Sequence, residues 1–136
     1  MDNVLERVNE LIIGDQWPHL IGLDVSDNHI ALSLYIVDSI SWFSGHFPEQ
    51  AVLPGVVQLH WAVKLAQVVF PDLLAEGKRF NAVNNVKFKM MILPGQVIDL
   101  DLKYDEAKHT VRFSYRNGGD VFSTATLLFS TPVFAL

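Results

Sequence analysis

The sequence predicts an α+β layer in which an antiparallel sheet curls around one long central helix. Three observations predict it. A run from Pro54 to Val69 is apolar almost all round at helix length, as in a helix buried on every side. Segments of alternating apolar and polar residues lie both before and after it. Turn-forming clusters separate those segments, and no other helical pattern approaches the first in length.

In chain order, Val4, Leu5, Val8, Leu11 and Ile12 recur at helical spacing, predicting a short amphipathic helix that ends near Gly14. Leu20 to Val25, a turn at Asp27-Asn28, and the alternating Ile30, Leu32, Leu34 and Ile36 predict a hairpin. Ser39 to Gln50 mixes Gly, Pro, Ser and aromatics and reads as a loop. The central helix begins at Pro54 or Gly55, where proline's missing N–H costs nothing, and Phe70-Pro71 stops it. Strand patterns follow at Val86, Phe88 and Met90, at Ile98 to Tyr104, and at Val111, Phe113 and Tyr115. Asn117-Gly118-Gly119-Asp120 is a hairpin turn leading into a last β-rich run, Val121 to Thr131. No linker or repeat interrupts the chain, so residues 1–136 read as a single domain.

Composition narrows the function. The chain has 136 residues, of which 50% are hydrophobic, and a net charge of −5. Such an apolar chain buries a large core or hides surface in an oligomer. No Lys/Arg cluster in the sequence is dense enough to neutralise a phosphate backbone, so no nucleic-acid partner is expected. An acidic chain does not suit an anionic membrane surface, and no apolar run reaches the roughly 18 residues of a membrane span. With no cysteine, thiolate chemistry and Cys-ligated metals are excluded. The five histidines lack ligand-like spacing, so no metal and no cofactor are expected. The first nine residues carry Asp2, Glu6 and Arg7, unlike a signal peptide, and the cytoplasm is the expected compartment.

Chemistry concentrates around the start of the central helix. His46 sits in a frame of Gly45 and Phe47-Pro48, which can hold an imidazole in one orientation for proton exchange near neutral pH. A loop histidine that only bonds a carbonyl is the plainer alternative. At Pro54-Gly55-Val56 the unpaired N–H groups and the helix dipole favour negative charge, and Gly55 has no side chain to block a ligand. A thioester carbonyl accepting those N–H bonds would be polarised, and its α-proton made more acidic. The plainer alternative is that Pro-Gly merely starts a helix. His60 lies one turn past Val56 and leans toward the helix N-terminus, either as a site residue or as a core polar group.

The motifs carry a resemblance. Gly45-His46-Phe47-Pro48 followed by Leu53-Pro54-Gly55-Val56, and then Asn85-Val86-Lys87-Phe88 with Leu93-Pro94-Gly95-Gln96, resembles the fingerprint of the FabZ/FabA-type 3-hydroxyacyl-[acyl-carrier-protein] dehydratases. The resemblance implies the hotdog fold. It also implies dehydration of a 3-hydroxyacyl thioester, carried on an acyl carrier protein, to a trans-2-enoyl thioester. By the same resemblance His46 and His60 occupy the catalytic positions, with Gly55, Val56, Phe47, Pro54 and Gln58 around the substrate. The family's helix Glu or Asp falls on His60, which is the main departure. A dimer is implied, either a homodimer or a heterodimer with another hotdog subunit, with sheets joined edge to edge. The divergent helix, with Gln58, His60 and Trp61, looks more like a branch serving aryl polyene assembly, for which Trp42, Phe43, Phe47 and Trp61 could line a flat tunnel. Two other functions stay open. One is a hotdog acyl thioesterase, for which Glu49 is the nearest loop carboxylate. The other is a non-catalytic acyl-binding partner in a heteromeric dehydratase.

Overall fold

The structure, a computed structural model, describes residues 3–43 and 51–131. The expectations placed on His46 and Phe47 lie outside the described residues.

The first helix, α1, spans Val4–Leu11. Asn3 caps it by accepting from the Glu6 amide, and only Val8 is fully buried. It ends three residues before the expected Gly14, because Ile12 already leaves helical geometry. Strands β1 (His19–Val25) and β2 (His29–Tyr35) form the expected hairpin. The central helix, α2, spans Gly55–Val69. Pro54 takes an extended conformation before it, and Phe70 closes it by donating its N–H to Ala66 O. A kinked 3-10 segment, Pro71–Gly77, leads into β3 (Arg79–Phe88). A meander of β4 (Val97–Asp105), β5 (Thr110–Asn117) and β6 (Asp120–Ser130) follows.

The six strands form one antiparallel sheet in the order β1-β2-β4-β5-β6-β3. Its inner face is apolar by strict alternation: Ile98, Leu100 and Leu102 on β4, and Val111, Phe113 and Tyr115 on β5, are all buried. They join one core with Trp61, Ala62, Leu65 and Ala66 of α2. The β5–β6 turn works because Gly118 supplies the positive φ (57°) at its first central position.

Strand β3 departs from the sequence reading. Alternation suggested Val86 to Met90, whereas the strand starts at Arg79, and Met90 lies beyond its end. Its register slips between Asn84 and Lys87, where Asn85 takes a φ of +55°. A bulge erases the period-two signal. As an edge strand, β3 is also exposed along most of its length, so burial never imposed a clear pattern on it.

Candidate active site

The two sequence motifs meet at the start of α2. The Leu53 amide donates to Ile92 O (2.9 Å), which ties the helix entry to the segment after β3. That segment is held in turn: Gln96 Oε1 accepts from the Leu93 amide (2.8 Å), and the Gly95 amide donates to Ile36 O (2.6 Å). The Leu-Pro-Gly-Gln turn is thus joined to the Leu-Pro-Gly-Val helix entry by one backbone hydrogen bond, through the adjacent Ile92.

Gly55 is the first residue of α2. Among the described residues, its amide and that of Val56 meet no hydrogen-bond acceptor, as expected for the first turn of a helix. The ring of Phe88 lies over Gly55. A Cβ built there would fall 2.7 Å from Phe88 Cζ, so the close approach requires glycine. Phe88 is half exposed. In the sequence Phe88 belongs to an alternating strand pattern and to a motif, and nothing local marks its contact with the helix start. Its place in the Asn-Val-Lys-Phe block was the available signal.

The other expected residues divide between two sides of α2. Gln58 is buried, and both ends of its amide are engaged within the fold. Oε1 accepts from Ser123 Oγ (2.7 Å) and Nε2 donates to Leu53 O (3.2 Å). Its carbonyl accepts from the hydroxyl of Tyr115 (2.7 Å). Burial pushes the Tyr115 phenol well above its ordinary value, so it stays a donor. These bonds anchor the first turn of α2 to β5 and β6. Val56 and His60 lie on the open side, with Val56 72% exposed. The His60 ring packs against Trp17, with centroids 5.8 Å apart, and makes no hydrogen bond among the described residues. Trp61 lines no tunnel: it is fully buried in the core and donates its indole N–H to Gln16 O (3.0 Å). The Trp61 ring stacks on Trp17. Trp42 stays partly exposed and donates to the same carbonyl.

A bare glycine amide at an apolar helix start can polarise an acyl carbonyl, and an imidazole on the adjacent open stripe can exchange protons. Among the described residues there is no group of three or more His, Cys, Asp or Glu side chains placed to hold a metal ion. No helix among them is long and apolar enough to cross a membrane.

Comparison with known proteins shows the family of the chain. The family model described as ApeI-like, ApeI dehydratase, matches residues 23–126. The chain belongs to the ApeI-like dehydratase family. A solved structure of the dehydratase heterocomplex ApeI:P from Xenorhabdus doucetiae is 32% identical. It covers 82% of this chain and 96% of that one, with a TM-score of 0.73. The 3-hydroxyacyl-[acyl-carrier-protein] dehydratase FabZ of Moorella thermoacetica is 27% identical over 129 residues, 88% of this chain and 90% of that protein. FabZ of Clostridium novyi is 33% identical over 70 residues, about half (49%) of either chain. The fold of this ApeI-like chain is the hotdog fold, with an antiparallel sheet around one long helix, as the motifs implied.

Proposed function

We propose that this ApeI-like protein dehydrates a 3-hydroxyacyl thioester, carried on an acyl carrier protein, to the trans-2-enoyl thioester. The observation that carries this reading is the Gly55 amide, which meets no acceptor among the described residues, at a helix start tied by the Leu53–Ile92 hydrogen bond to the second motif's segment. The thioester oxygen accepts from that amide, which stabilises the enolate formed as the α-proton leaves. His46 takes the α-proton. The 3-hydroxyl departs with a proton as water, and His60 stands where related enzymes place the carboxylic acid for that transfer. Phe47, Pro54 and Val56 line the acyl group, and Gln58 holds the helix turn that presents the amide. The Gln58, His60 and Trp61 pattern favours an aryl polyene or similar conjugated product over a housekeeping fatty acid.

The working unit in this reading is a dimer. β3 ends the sheet, so one side of its backbone is unpaired, and Phe80, Val86 and Phe88 on it are exposed. Pairing with a second hotdog subunit would satisfy that edge and cover the open stripe of α2. The partner is a second copy or a different hotdog chain. The replacement of the family's acid by His60, together with the heteromeric state of the Xenorhabdus doucetiae relative, keeps a heteromeric role as the second reading.

The test is reversible hydration of a short trans-2-enoyl carrier-protein thioester, followed by mass spectrometry, on wild type, His46→Ala and His60→Ala. Loss of rate in both variants supports a His/His pair. Loss in His46→Ala alone makes His60 structural. A wild type inert toward short and aryl enoyl thioesters sinks autonomous catalysis.

A further inference from the structure

All three tryptophans of the chain meet at the loop between α1 and β1. Trp17 lies in that loop, Trp61 on α2, and Trp42 in a short 3-10 turn, Ser41–Phe43. The Gln16 carbonyl accepts the indole N–H groups of both Trp61 (3.0 Å) and Trp42 (3.1 Å). One residue earlier, the Asp15 carbonyl accepts from the Ser41 amide (2.7 Å). Two segments distant in sequence thus clamp the backbone of this loop. Pro18 stiffens it further, because a residue before proline is held near extended geometry.

The clamp fixes the ring of Trp17. Trp17 is 9% exposed and stacks on Trp61, with centroids 6.1 Å apart and planes 21° apart. The same ring meets the His60 imidazole at 5.8 Å and 34°. Trp17 therefore stands at the border between the two sides of α2, in contact with one buried residue, Trp61, and one open residue, His60.

An exposed histidine needs such a contact if it is to move protons. A reacting imidazole is ordinarily oriented by a hydrogen bond at its second nitrogen. His60 makes no hydrogen bond among the described residues. Free rotation about χ1 and χ2 would spread its ring over several rotamers, of which one serves a given transfer. The Trp17 face is the contact that removes this freedom, and the clamp on Gln16 is what makes that face rigid.

We propose that Trp17 is a positioning residue, whose ring holds the His60 imidazole in the orientation used for proton transfer at the start of α2. The proposal takes its chemistry from the dehydratase reading, and one arm of its test does not depend on that reading. In this arm, NMR of the wild-type protein should show Overhauser contacts between the His60 ring protons and the Trp17 indole. It should also show an upfield ring-current shift of those His60 protons, which Trp17→Met abolishes and Trp17→Phe keeps in part. In the second arm, hydration of the enoyl carrier-protein thioester is followed. Trp17→Met is expected to lower kcat about tenfold with KM changed by less than about twofold. Trp17→Phe retains an aromatic face and should recover kcat to within about twofold of wild type. Val8→Ala, which weakens the core from α1 without removing a ring, should lower the melting temperature and leave kcat unchanged.

Absence of the Overhauser contacts in wild type overturns the proposal. So does a folded Trp17→Met that loses the shift and keeps full kcat, or an equal loss of kcat in Val8→Ala. If Trp17→Met does not fold, Trp17→Phe decides the kinetic arm: full kcat together with a lost His60 shift overturns the positioning role. A wild type inert on enoyl thioesters removes the dehydratase reading, and the NMR arm still decides whether Trp17 holds the imidazole.

Discussion

The two sides of α2 follow different rules. On the buried side Gln58, Trp61, Ala62 and Leu65 are packed and hydrogen-bonded into the sheet and the α1–β1 loop. On the open side Val56, His60 and Lys64 are exposed, beside an amide with no acceptor among the described residues. A sequence pattern that is apolar all round implies a helix buried all round, and in a lone chain this helix is not. The exposed stripe is short and mostly polar, His60 and Lys64 beside Val56, so the apolar surface left for a substrate or a partner subunit is concentrated at Val56 and the helix start.

Substitutions on the two sides should separate stability from activity. The largest effect is expected for Trp61→Ala. It empties a fully buried site and removes the bond to Gln16 O, and should cost about 3–5 kcal/mol in denaturant unfolding. A near-silent Trp61→Ala would break the distinction between the sides. At the boundary, Gly55→Ala places a methyl against the Phe88 ring. A double-mutant cycle with Phe88→Ala should show a coupling of about 1 kcal/mol, and additive costs would mean that the ring simply swings aside.

Of similar size is Tyr115→Phe, which should lose about 1 kcal/mol at neutral pH with the hydrogen bond to Gln58 O. Its pH dependence has a definite sign. The folded protein holds the Tyr115 phenol above the ordinary value of 10.0 through burial, so its contribution is complete below pH 10.0 and is lost as pH rises beyond it. Alkaline unfolding curves should therefore be shallower in Tyr115→Phe. Some dependence should remain from Tyr104, whose phenol is raised first by desolvation and then by Asp72 and Glu106. The smallest stability change belongs to the open side. His60→Gln should alter stability by less than about 0.5 kcal/mol, as exposed substitutions do, while lowering dehydratase turnover by about a hundredfold. An equal loss of stability and activity would assign His60 to packing against Trp17 and not to chemistry.

Much of the architecture could be read from residue order alone. The central helix was bounded within a residue by Pro54-Gly55 and Phe70-Pro71, because proline and the apolar run act locally. The meander from Val97 onward was equally plain, since one face of each strand is buried and burial imposes period two. β3 was only half legible, because its edge position and bulge remove that constraint. Of the candidate site, motif and spacing pointed to Gly55 and His60, whereas the contacts of Phe88 and Ser123 with the helix were not legible. Both reach the helix from strands distant in sequence, and nothing local marks a contact between separate elements.

By itself, then, the sequence determined the element order, the central helix and the family motifs, because these depend on local backbone preference and on periodic burial. Only the tertiary structure decided that the two motifs meet at the helix entry and that Gln58 is tied into the sheet while His60 stays open. Those facts arise from strand register and from which side of a helix meets the sheet, and register is set by packing of the whole core rather than by any one segment.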